Sequence, residues 1–279
     1  MRVVSLAINL PGPLAAARLA ALGGQVLKIE PPTGDPLAHA APGWHAALHE
    51  HVKITRLDLK QPNDRARLDD HLAEADVLIT AQRPSSLARL GLDRLAEQYP
   101  RLVHTEIVGQ GGDLAEVPGH DLTYQAIHGT LQPPSMPLVP VADLLGAEQA
   151  VSTTLAALLV RERTGLGGRH RVALEDAARL AGSAVRHELM GPGGPLGGLL
   201  PTYRIYATSD GHVALAAIES HFASRVHDQI GQTAEELEVA FAGAPTAHWE
   251  ALARQLDIPL VGITPADQSP TDRQKAVQP

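Results

Sequence analysis

The chain has 279 residues, of which 44% are hydrophobic and 19% are charged, so it can bury a core and is not a disordered chain. Its formal net charge of −8 argues against a nucleic-acid partner, because phosphate contacts need a basic face. The absence of cysteine excludes disulfides, thiolate nucleophiles and cysteine-based zinc sites, and no run of about 18 apolar residues predicts a membrane span.

The N-terminal residues predict a strand, a helix and a second strand. Residues 2–8 are mainly apolar and form the first expected strand, and residues 11–13 (Pro-Gly-Pro) predict a turn. Leu14–Leu22 predicts an Ala/Leu-rich helix stopped by two glycines, and Gln25–Glu30 predicts the next strand. Arg18 and the prolines interrupt the apolar stretch, which favours the start of a cytoplasmic protein over a secretory leader. This opening favours a parallel sheet with helices on its faces.

Later segments continue the alternation of helices and strands. The sequence predicts a helix over 64–75, strands over 76–80 and 102–108, a long helix with Asp143 as its N-cap and Gly165 at its end, and a hairpin around the turn at 209–211. We therefore expect a large α/β domain over 1–182, a glycine-rich linker over 183–198, and a small α+β domain over 199–279. A polar tail is expected from Pro265 onward.

A histidine cluster raises the question of a metal site. His45 and His49 are four positions apart and share one face of a helix, and His51 follows. Zinc can use such a pair, but no third ligand at a usual spacing is evident. With 14 histidines in the chain, clusters arise by chance, and we expect no metal.

Three titratable residues are candidates for acid–base chemistry. His120 follows a glycine-rich loop, and a histidine there serves either as a general base or as a helix cap. Asp143 at a helix N-terminus serves as a cap, and the positive helix end is expected to keep its carboxylate ionised as a base or nucleophile. Glu219 ends an apolar strand, where it lies either at a solvated edge or in a cleft. The pattern alone leaves each pair of roles open.

Eight collinear stretches resemble the family III CoA transferase superfamily, the CaiB/BaiF type, and within it the alpha-methylacyl-CoA racemases. They cover roughly residues 2–262 and include LPGPLAAARLAALGGQVLKIEPPTGDP, LDLKQP, DVLITAQRPSSLARLGLD, PRLVHTEIVGQG, PGHDLTYQAIHG, VADLLG, LLVRERTGLGGRHRVALEDAA and DGHVALAAIESHF. The resemblance implies a Rossmann-like large domain that binds CoA, a smaller domain, and an interlocked homodimer. It also implies an acyl-CoA substrate, with CoA as part of that substrate and no permanently bound cofactor.

The resemblance also assigns site residues. His120 matches the histidine that racemases carry in a Gly-His-Asp segment, Asp143 matches an aspartate common to racemases and transferases, and Glu219 matches a racemase glutamate. The positions that match the family's CoA-binding residues are Leu57, Asp58, Leu59, Arg83, Gly119, Asp121 and Tyr124.

These residues lead to three hypotheses. In the first, the protein inverts the α-carbon of a 2-methylacyl-CoA: His120 and Asp143 act on opposite faces, and Glu219 hydrogen-bonds to one of them. In the second, Asp143 attacks the thioester carbonyl and carries CoA between carboxylic acids, and His120 takes no part. In the third, the chain binds acyl-CoA without turning it over.

Three departures from the family bear on CoA binding and on assembly. Pro32 stands where the family commonly has an arginine that contacts CoA phosphates, which predicts weaker affinity or compensation by Lys28, Lys53 or Lys60. The stretch between the two candidate catalytic residues is expected to be shorter than in typical racemases. The family's returning C-terminal segment is expected to be missing.

Overall fold

The computed structural model describes residues 1–265, which form two compact units. The first unit is Met1–Ser183, and the second begins at Ala184. Residues 184–198 of the predicted linker are grouped with the second unit, and the domain boundaries proposed from the sequence stay a prediction. The predicted polar tail lies, apart from Pro265, outside the described residues.

The first unit is built on a six-stranded parallel sheet with the strand order β3-β2-β1-β4-β5-β6. Its strands are β1 (Arg2–Ser5), β2 (Gln25–Glu30), β3 (Val52–Arg56), β4 (Val77–Thr80), β5 (Val103–Val108) and β6 (Gly168–Ala173). This is the order of a doubly wound sheet, in which the winding reverses between β1 and β4. The prediction of a Rossmann-like α/β fold is confirmed.

Helices cover both faces of this sheet. They are α1 (Pro11–Ala21), α2 (Leu37–Ala40), α3 (Pro42–Leu48), α4 (Pro62–Ala73), α5 (Pro84–Arg89), α6 (Leu95–Gln98), α7 (Asp121–Ile127), α8 (Val141–Thr164) and α9 (Leu174–Ala181). The short helix α10 (Ser183–Arg186) spans the boundary between the two units. One core joins the sheet to α1, α8 and α9, and the other joins it to α4, α5 and α6. Every residue of β4 and β5 is buried, as expected of strands with both faces covered.

Two helices begin differently from the prediction. Helix α1 starts at Pro11, so the predicted turn at 11–13 is its first turn, because proline fits the start of a helix, where its missing N–H costs nothing. Helix α8 has Pro140 at its N-cap, and Asp143 is its third residue, so Asp143 is not the cap. The predicted C-terminus is confirmed: Gly165 adopts a left-handed conformation with φ 77°.

The second unit packs helices on a small antiparallel sheet. Its elements are β7 (Tyr203–Ala207), β8 (His212–Ala216), α11 (Ser220–Gln229), α12 (Ala234–Ala242), α13 (Thr246–Leu256) and β9 (Leu260–Gly262). Strands β7 and β8 form the predicted hairpin. The core includes the buried rings of Tyr206, Phe241 and Trp249, with centroids 4.9 and 4.8 Å apart along this series. The α+β prediction for this part of the chain is confirmed.

No helix within residues 1–265 combines the length and the apolar composition needed to cross a bilayer.

A buried ammonium group fixes the loops at one edge of the parallel sheet. Lys28 of β2 is 0% exposed, and its Nζ donates to the Asp35 carboxylate and lies 3.1 Å from Glu30 Oε1. It also lies 3.0 Å from His49 Nε2. Asp35 and His49 are its hydrogen-bond partners, and Glu30 adds a second negative charge as an ion pair. Lys28 is therefore not available for a CoA phosphate, and the suggestion that it compensates for Pro32 is wrong.

Asp35 extends this cluster to the loop that follows β1. Its Oδ1 accepts the Asn9 N–H at 3.0 Å and the Leu37 N–H at 2.9 Å, while Lys28 binds its other oxygen. Asn9 has φ 70°, a left-handed conformation that asparagine tolerates better than most residues. Burial alone would raise the pKa of the Asp35 carboxyl. The Lys28 ammonium and the two N–H donors together lower it by more, so the pKa lies below its ordinary value of 3.8. The buried carboxylate thus ties together the loops after β1 and β2.

We predict that Asp35→Asn destabilises the protein. The substitution leaves the Lys28 ammonium buried with less compensating charge, and we expect the free energy of unfolding to fall by about 2–3 kcal/mol, measured by urea denaturation at pH 7. The control is Asp70→Asn on the exposed side of α4, which should change it by less than about 0.5 kcal/mol. Equal small effects for both variants would show that the cluster does not stabilise the fold.

Candidate active site

Two adjoining clefts lie at the carboxyl edge of the parallel sheet. The first, the His120 cleft, has a volume of about 250 Å³ and is lined by residues that follow β1, β4 and β5 and by the first turn of α8. The second, the Asp58 cleft, has a volume of about 440 Å³ and lies where β1, β2 and β3 end. Ile8 and Gln82 line both clefts. Their position between β1 and β4 is the switch point where doubly wound sheets bind ligands.

The His120 cleft collects five of the residues singled out from the sequence: Arg83, Gly119, His120, Tyr124 and Asp143. His120 is exposed and forms the N-cap of α7, where its own N–H donates to Thr123 Oγ1 at 3.1 Å. Arg83 is exposed and forms the N-cap of α5. An imidazole, a guanidinium and a carboxyl group thus face one cavity, although they come from three separate segments of the chain.

Tyr124 forms a tightly packed wall of this cleft. Its ring is 1% exposed and lies against the backbone of two glycines. A Cβ added at Gly109 or Gly119 would lie 2.2 or 2.6 Å from the Tyr124 hydroxyl oxygen, so neither position has room for a side chain. Burial raises the pKa of the Tyr124 hydroxyl, and the nearby Asp143 and Glu175 carboxylates raise it further. Gly119 therefore lines the cleft and also makes room for this ring.

Asp121, rather than Asp143, caps helix α8. The Asp121 Oδ1 accepts the N–H of Ala142 at 2.7 Å and the N–H of Asp143 at 3.2 Å. Pro140, at the N-cap, has no side-chain acceptor, so a carboxylate from the start of α7 satisfies these helix donors instead. Asp121 is 21 positions before Ala142 and 22 positions before Asp143, so a local sequence pattern does not show these contacts.

The Asp143 carboxyl is held in an environment that favours its protonated form. Burial raises its pKa from 3.8 to about 7, and the like charge of Asp121 adds to the rise. No side chain within residues 1–265 donates a hydrogen bond to it. The expectation that the helix N-terminus keeps Asp143 fully ionised is therefore wrong. At neutral pH, this group is able both to give and to take a proton.

The Asp58 cleft holds three more of the residues matched to CoA binding, Leu57, Asp58 and Leu59, whereas Asp121 lines neither cleft. Leu57 is 2% exposed and belongs mainly to the core, and Leu59 is half-buried. The Asp58 carboxylate accepts the Lys60 N–H at 3.1 Å, and its other oxygen lies 3.4 Å from Gln61 Nε2. Asp58 thus shapes the turn before α4 with its own side chain. The exposed Lys60 places one positive charge in this cleft, beside the carboxylates of Glu30 and Asp58.

The histidine cluster gains a third possible ligand in the folded protein. The ligand atoms of Glu30, His45 and His49 lie within 4.8 Å of one another, whereas His51 is not part of this group. His49 Nδ1 lies 2.6 Å from the His45 carbonyl oxygen, which makes Nε2 the acceptor for Lys28. Burial lowers the pKa of His49, and the Lys28 charge lowers it further. Because an ammonium group already supplies the positive charge here, these residues do not fit a metal ion.

Glu219 lies in the second unit. It is exposed and forms the N-cap of α11, and the first residue of that helix follows it directly. The hypothesis that Glu219 hydrogen-bonds to His120 or Asp143 stays a prediction.

Three residues of the His120 cleft were missed from the sequence. Asn9 and Gln82 follow β1 and β4, and Gly109 follows β5. Gln82 Nε2 donates to the Leu6 carbonyl oxygen at 2.8 Å, which holds the ends of two neighbouring strands together. The usable signal is their position, since residues directly after the central strands of a parallel sheet meet at its ligand-binding edge.

We predict that Asp143→Asn stabilises the protein in a pH-dependent way. Because the folded-state pKa of Asp143 is raised to about 7, the wild type loses stability as the pH rises from about 4 to about 7, and the loss is complete above that range. Asparagine does not ionise. Urea denaturation should therefore show the variant to be more stable than the wild type at pH 8, with a smaller difference at pH 5. A difference that is the same at both pH values would contradict the raised pKa, and Asp70→Asn serves as the control.

Comparison with known proteins gives relatives of two kinds. The chain is 33% identical over 201 residues to cinnamoyl-CoA:phenyllactate CoA-transferase of Clostridium sporogenes, covering 64% of this chain and 49% of that protein. It is 32% identical over 247 residues to succinate–glutarate CoA-transferase of Agrobacterium fabrum, covering 77% and 62%. It is 29% identical over 261 residues to human alpha-methylacyl-CoA racemase, covering 84% and 65%. The matches span about half to two thirds of the length of these relatives.

Solved structures share the fold. A hypothetical protein from Mycobacterium tuberculosis superposes with a TM-score of 0.81 and 24% identity, covering 99% of this chain and 88% of that one. A CaiB/BaiF family protein from Brucella suis gives 0.79 and 24%, covering 98% and 86%. A family model described as CoA-transferase family III matches residues 1–277, and on that match the chain belongs to CoA-transferase family III.

Proposed function

We propose that the protein is an acyl-CoA racemase or epimerase that inverts the α-carbon of a 2-methylacyl-CoA. Family III enzymes act on acyl-CoA substrates without a bound cofactor. The observation that carries the proposal is that His120 and an Asp143 carboxyl with a pKa of about 7 line the same cleft. Inversion needs a group that takes a proton and a second group that already holds one, and an imidazole beside a carboxyl with a pKa of about 7 suits these two tasks.

The two adjoining clefts suit an elongated substrate. Arg83 on the His120 cleft and Lys60 on the Asp58 cleft are exposed cations, and both suit the phosphate groups of CoA. In the proposed binding mode, CoA follows the sheet edge across Ile8 and Gln82, which are common to both clefts. The thioester and its α-carbon then reach the His120 cleft.

The proposed reaction moves one proton at a time. One of the two groups takes the α-proton, and the electron pair of the broken C–H bond moves onto the thioester oxygen as an enolate. The other group then gives its proton to the opposite face of the α-carbon, which restores the thioester with inverted configuration. Exchange with solvent resets both groups. No electron is lost or gained, and the C–S bond stays intact.

Two parts of the proposal reach beyond the first unit. Glu219 is proposed to hydrogen-bond to one of the two proton-transferring residues and to tune it. An interlocked homodimer is the proposed assembly, and light scattering of the purified protein measures its mass directly.

A second candidate is CoA transfer between carboxylic acids. Two of the relatives reported above carry transferase names, and the Asp143 carboxyl accepts no hydrogen bond within residues 1–265, which leaves its oxygens free to attack a carbonyl. In this reaction, the carboxylate attacks the thioester, the C–S bond breaks, and CoA leaves as a thiolate. The thiolate then attacks the anhydride to give an aspartyl-CoA thioester and a free carboxylate. A pKa of about 7 leaves less of the required anion at neutral pH than an ordinary aspartate provides.

Proton exchange distinguishes these reactions. We expect the protein to introduce deuterium at the α-carbon of a 2-methylacyl-CoA in heavy water, with the thioester intact, as measured by mass spectrometry. His120→Ala should slow this exchange by roughly 10²- to 10⁴-fold, because it removes a proton-transferring group, while CoA affinity stays nearly unchanged. The exposed His51→Ala is the matched control and should exchange at the wild-type rate.

Other outcomes reject the racemase proposal. Movement of CoA to an added carboxylic acid, together with trapping of Asp143 by hydroxylamine, would establish the transferase. Binding of acyl-CoA with neither reaction would leave a CoA-binding protein. Exchange that is unaffected by His120→Ala would remove His120 from the mechanism.

Arg83→Ala tests the proposed binding mode. If the guanidinium pairs with a phosphate, CoA binding should weaken by roughly 1.5–3 kcal/mol in isothermal titration calorimetry. The exposed Arg163→Ala, near the other end of α8, carries the same charge change and should leave the affinity unaltered. Equal affinities for the wild type and Arg83→Ala would reject the contact.

A further inference from the structure

The junction between α7 and α8 is held together by one aspartate. One oxygen of Asp121 accepts two N–H groups from the first turn of α8, and its other oxygen accepts Gln125 Nε2 at 2.5 Å. Gln125 is 2% exposed, and its Nε2 also donates to the Val139 carbonyl oxygen at 3.0 Å. The start of α7, the residue before Pro140 and the start of α8 are thus linked by a single polar network.

This network determines which acceptor binds the free N–H groups at the start of α8. The positive end of α8 stabilises a nearby carboxylate, chiefly through its free N–H groups. Asp121 takes the N–H groups of Ala142 and Asp143. The Asp143 side chain, in the first turn of the same helix, is left without a hydrogen-bond donor within residues 1–265. Asp121 therefore takes these stabilising contacts and also brings a second negative charge close to Asp143.

We propose that Asp121 is a positioning residue, which fixes the first turn of α8 and with it the Asp143 carboxyl, and whose negative charge opposes ionisation of that carboxyl. The raised pKa of Asp143 agrees with this role, since the Asp121 charge contributes to it after burial. The consequence for proton transfer rests on the proposed function. The electrostatic coupling itself concerns only these two side chains.

The other charged and titratable groups around Asp143 are few. Tyr124 on α7 and His120 at its N-cap line the same cleft, and so does Arg83. Glu175 on α9 lies near Tyr124, and its carboxylate is 3.2 Å from His128 Nε2. Asp121 is the carboxylate that is bonded directly to the turn bearing Asp143, so its replacement should change the titration of Asp143 more than any of these groups does.

Asp121→Asn separates the charge of this residue from its role as a cap. The asparagine oxygen can still accept the helix N–H groups, whereas the negative charge is gone and the amide nitrogen no longer accepts from Gln125 Nε2. We expect the pH midpoint of the Asp143 carboxyl to fall by roughly one pH unit, measured by carbon-13 NMR of the protein labelled at aspartate side chains. Asp143→Asn assigns the resonance, and Asp70→Asn is the matched charge control, which should leave the midpoint unchanged. A midpoint that is unmoved in folded Asp121→Asn would overturn the inference.

The wild type gives a second measurement that needs no folded variant. Two coupled carboxyls report on each other, so the Asp143 resonance should show two inflections rather than one across the pH range. A single inflection would overturn the inference even if Asp121→Asn failed to fold.

Both measurements are made without substrate. A moved midpoint together with no α-proton exchange would retain the coupling and reject the racemase proposal. An unmoved midpoint together with normal α-proton exchange would reject the coupling and retain the racemase proposal. If both the coupling and the racemase proposal are correct, the pH profile of α-proton exchange in Asp121→Asn should shift on its acidic side together with the Asp143 midpoint. A residue that served only as a helix cap would not produce this shift.

Discussion

The burial of one ammonium group constrains the whole edge of the sheet that carries the clefts. Taking Lys28 out of water costs several kcal/mol unless nearby groups compensate its charge. Glu30, Asp35 and His49 meet this demand only if the loops after β1 and β2 and the end of α3 converge on β2. The position of Asn9 in the His120 cleft follows from this convergence, because Asp35 holds its N–H. Part of the cleft's geometry is thus set by a charge that lies outside the cleft.

At the start of α8, burial outweighs the helix field. A helix N-terminus stabilises a nearby carboxylate by about 0.3–1 kcal/mol. A rise in pKa from 3.8 to about 7 corresponds to about 4 kcal/mol in the opposite direction. The sequence-based expectation for Asp143 considered only the smaller effect. The larger one arises from the enclosing cleft and from Asp121, neither of which is visible in the residues next to Asp143.

The sequence predicts what depends on local pattern. The alternation of apolar strands with helices was enough to predict a parallel sheet, and Gly165 marked the end of α8 because a left-handed turn there favours glycine. The Asp121 cap was not predictable locally, since it joins α7 to α8 across an irregular segment. Glu30 escaped notice as the third member of the histidine cluster for a similar reason: strand β2 and helix α3 meet only in the folded chain. The residue assignments at the clefts came from the family resemblance rather than from spacing.

The contact of Tyr124 with Gly109 and Gly119 limits how substitutions can reshape one wall of the His120 cleft. The two glycines press their backbones against the ring, so neither tolerates an added side chain. The buried Tyr124 ring fills the space beside these two backbones. Widening the cleft at this wall would therefore require a smaller residue at position 124, and narrowing the cleft would require changes on the opposite side of the cavity.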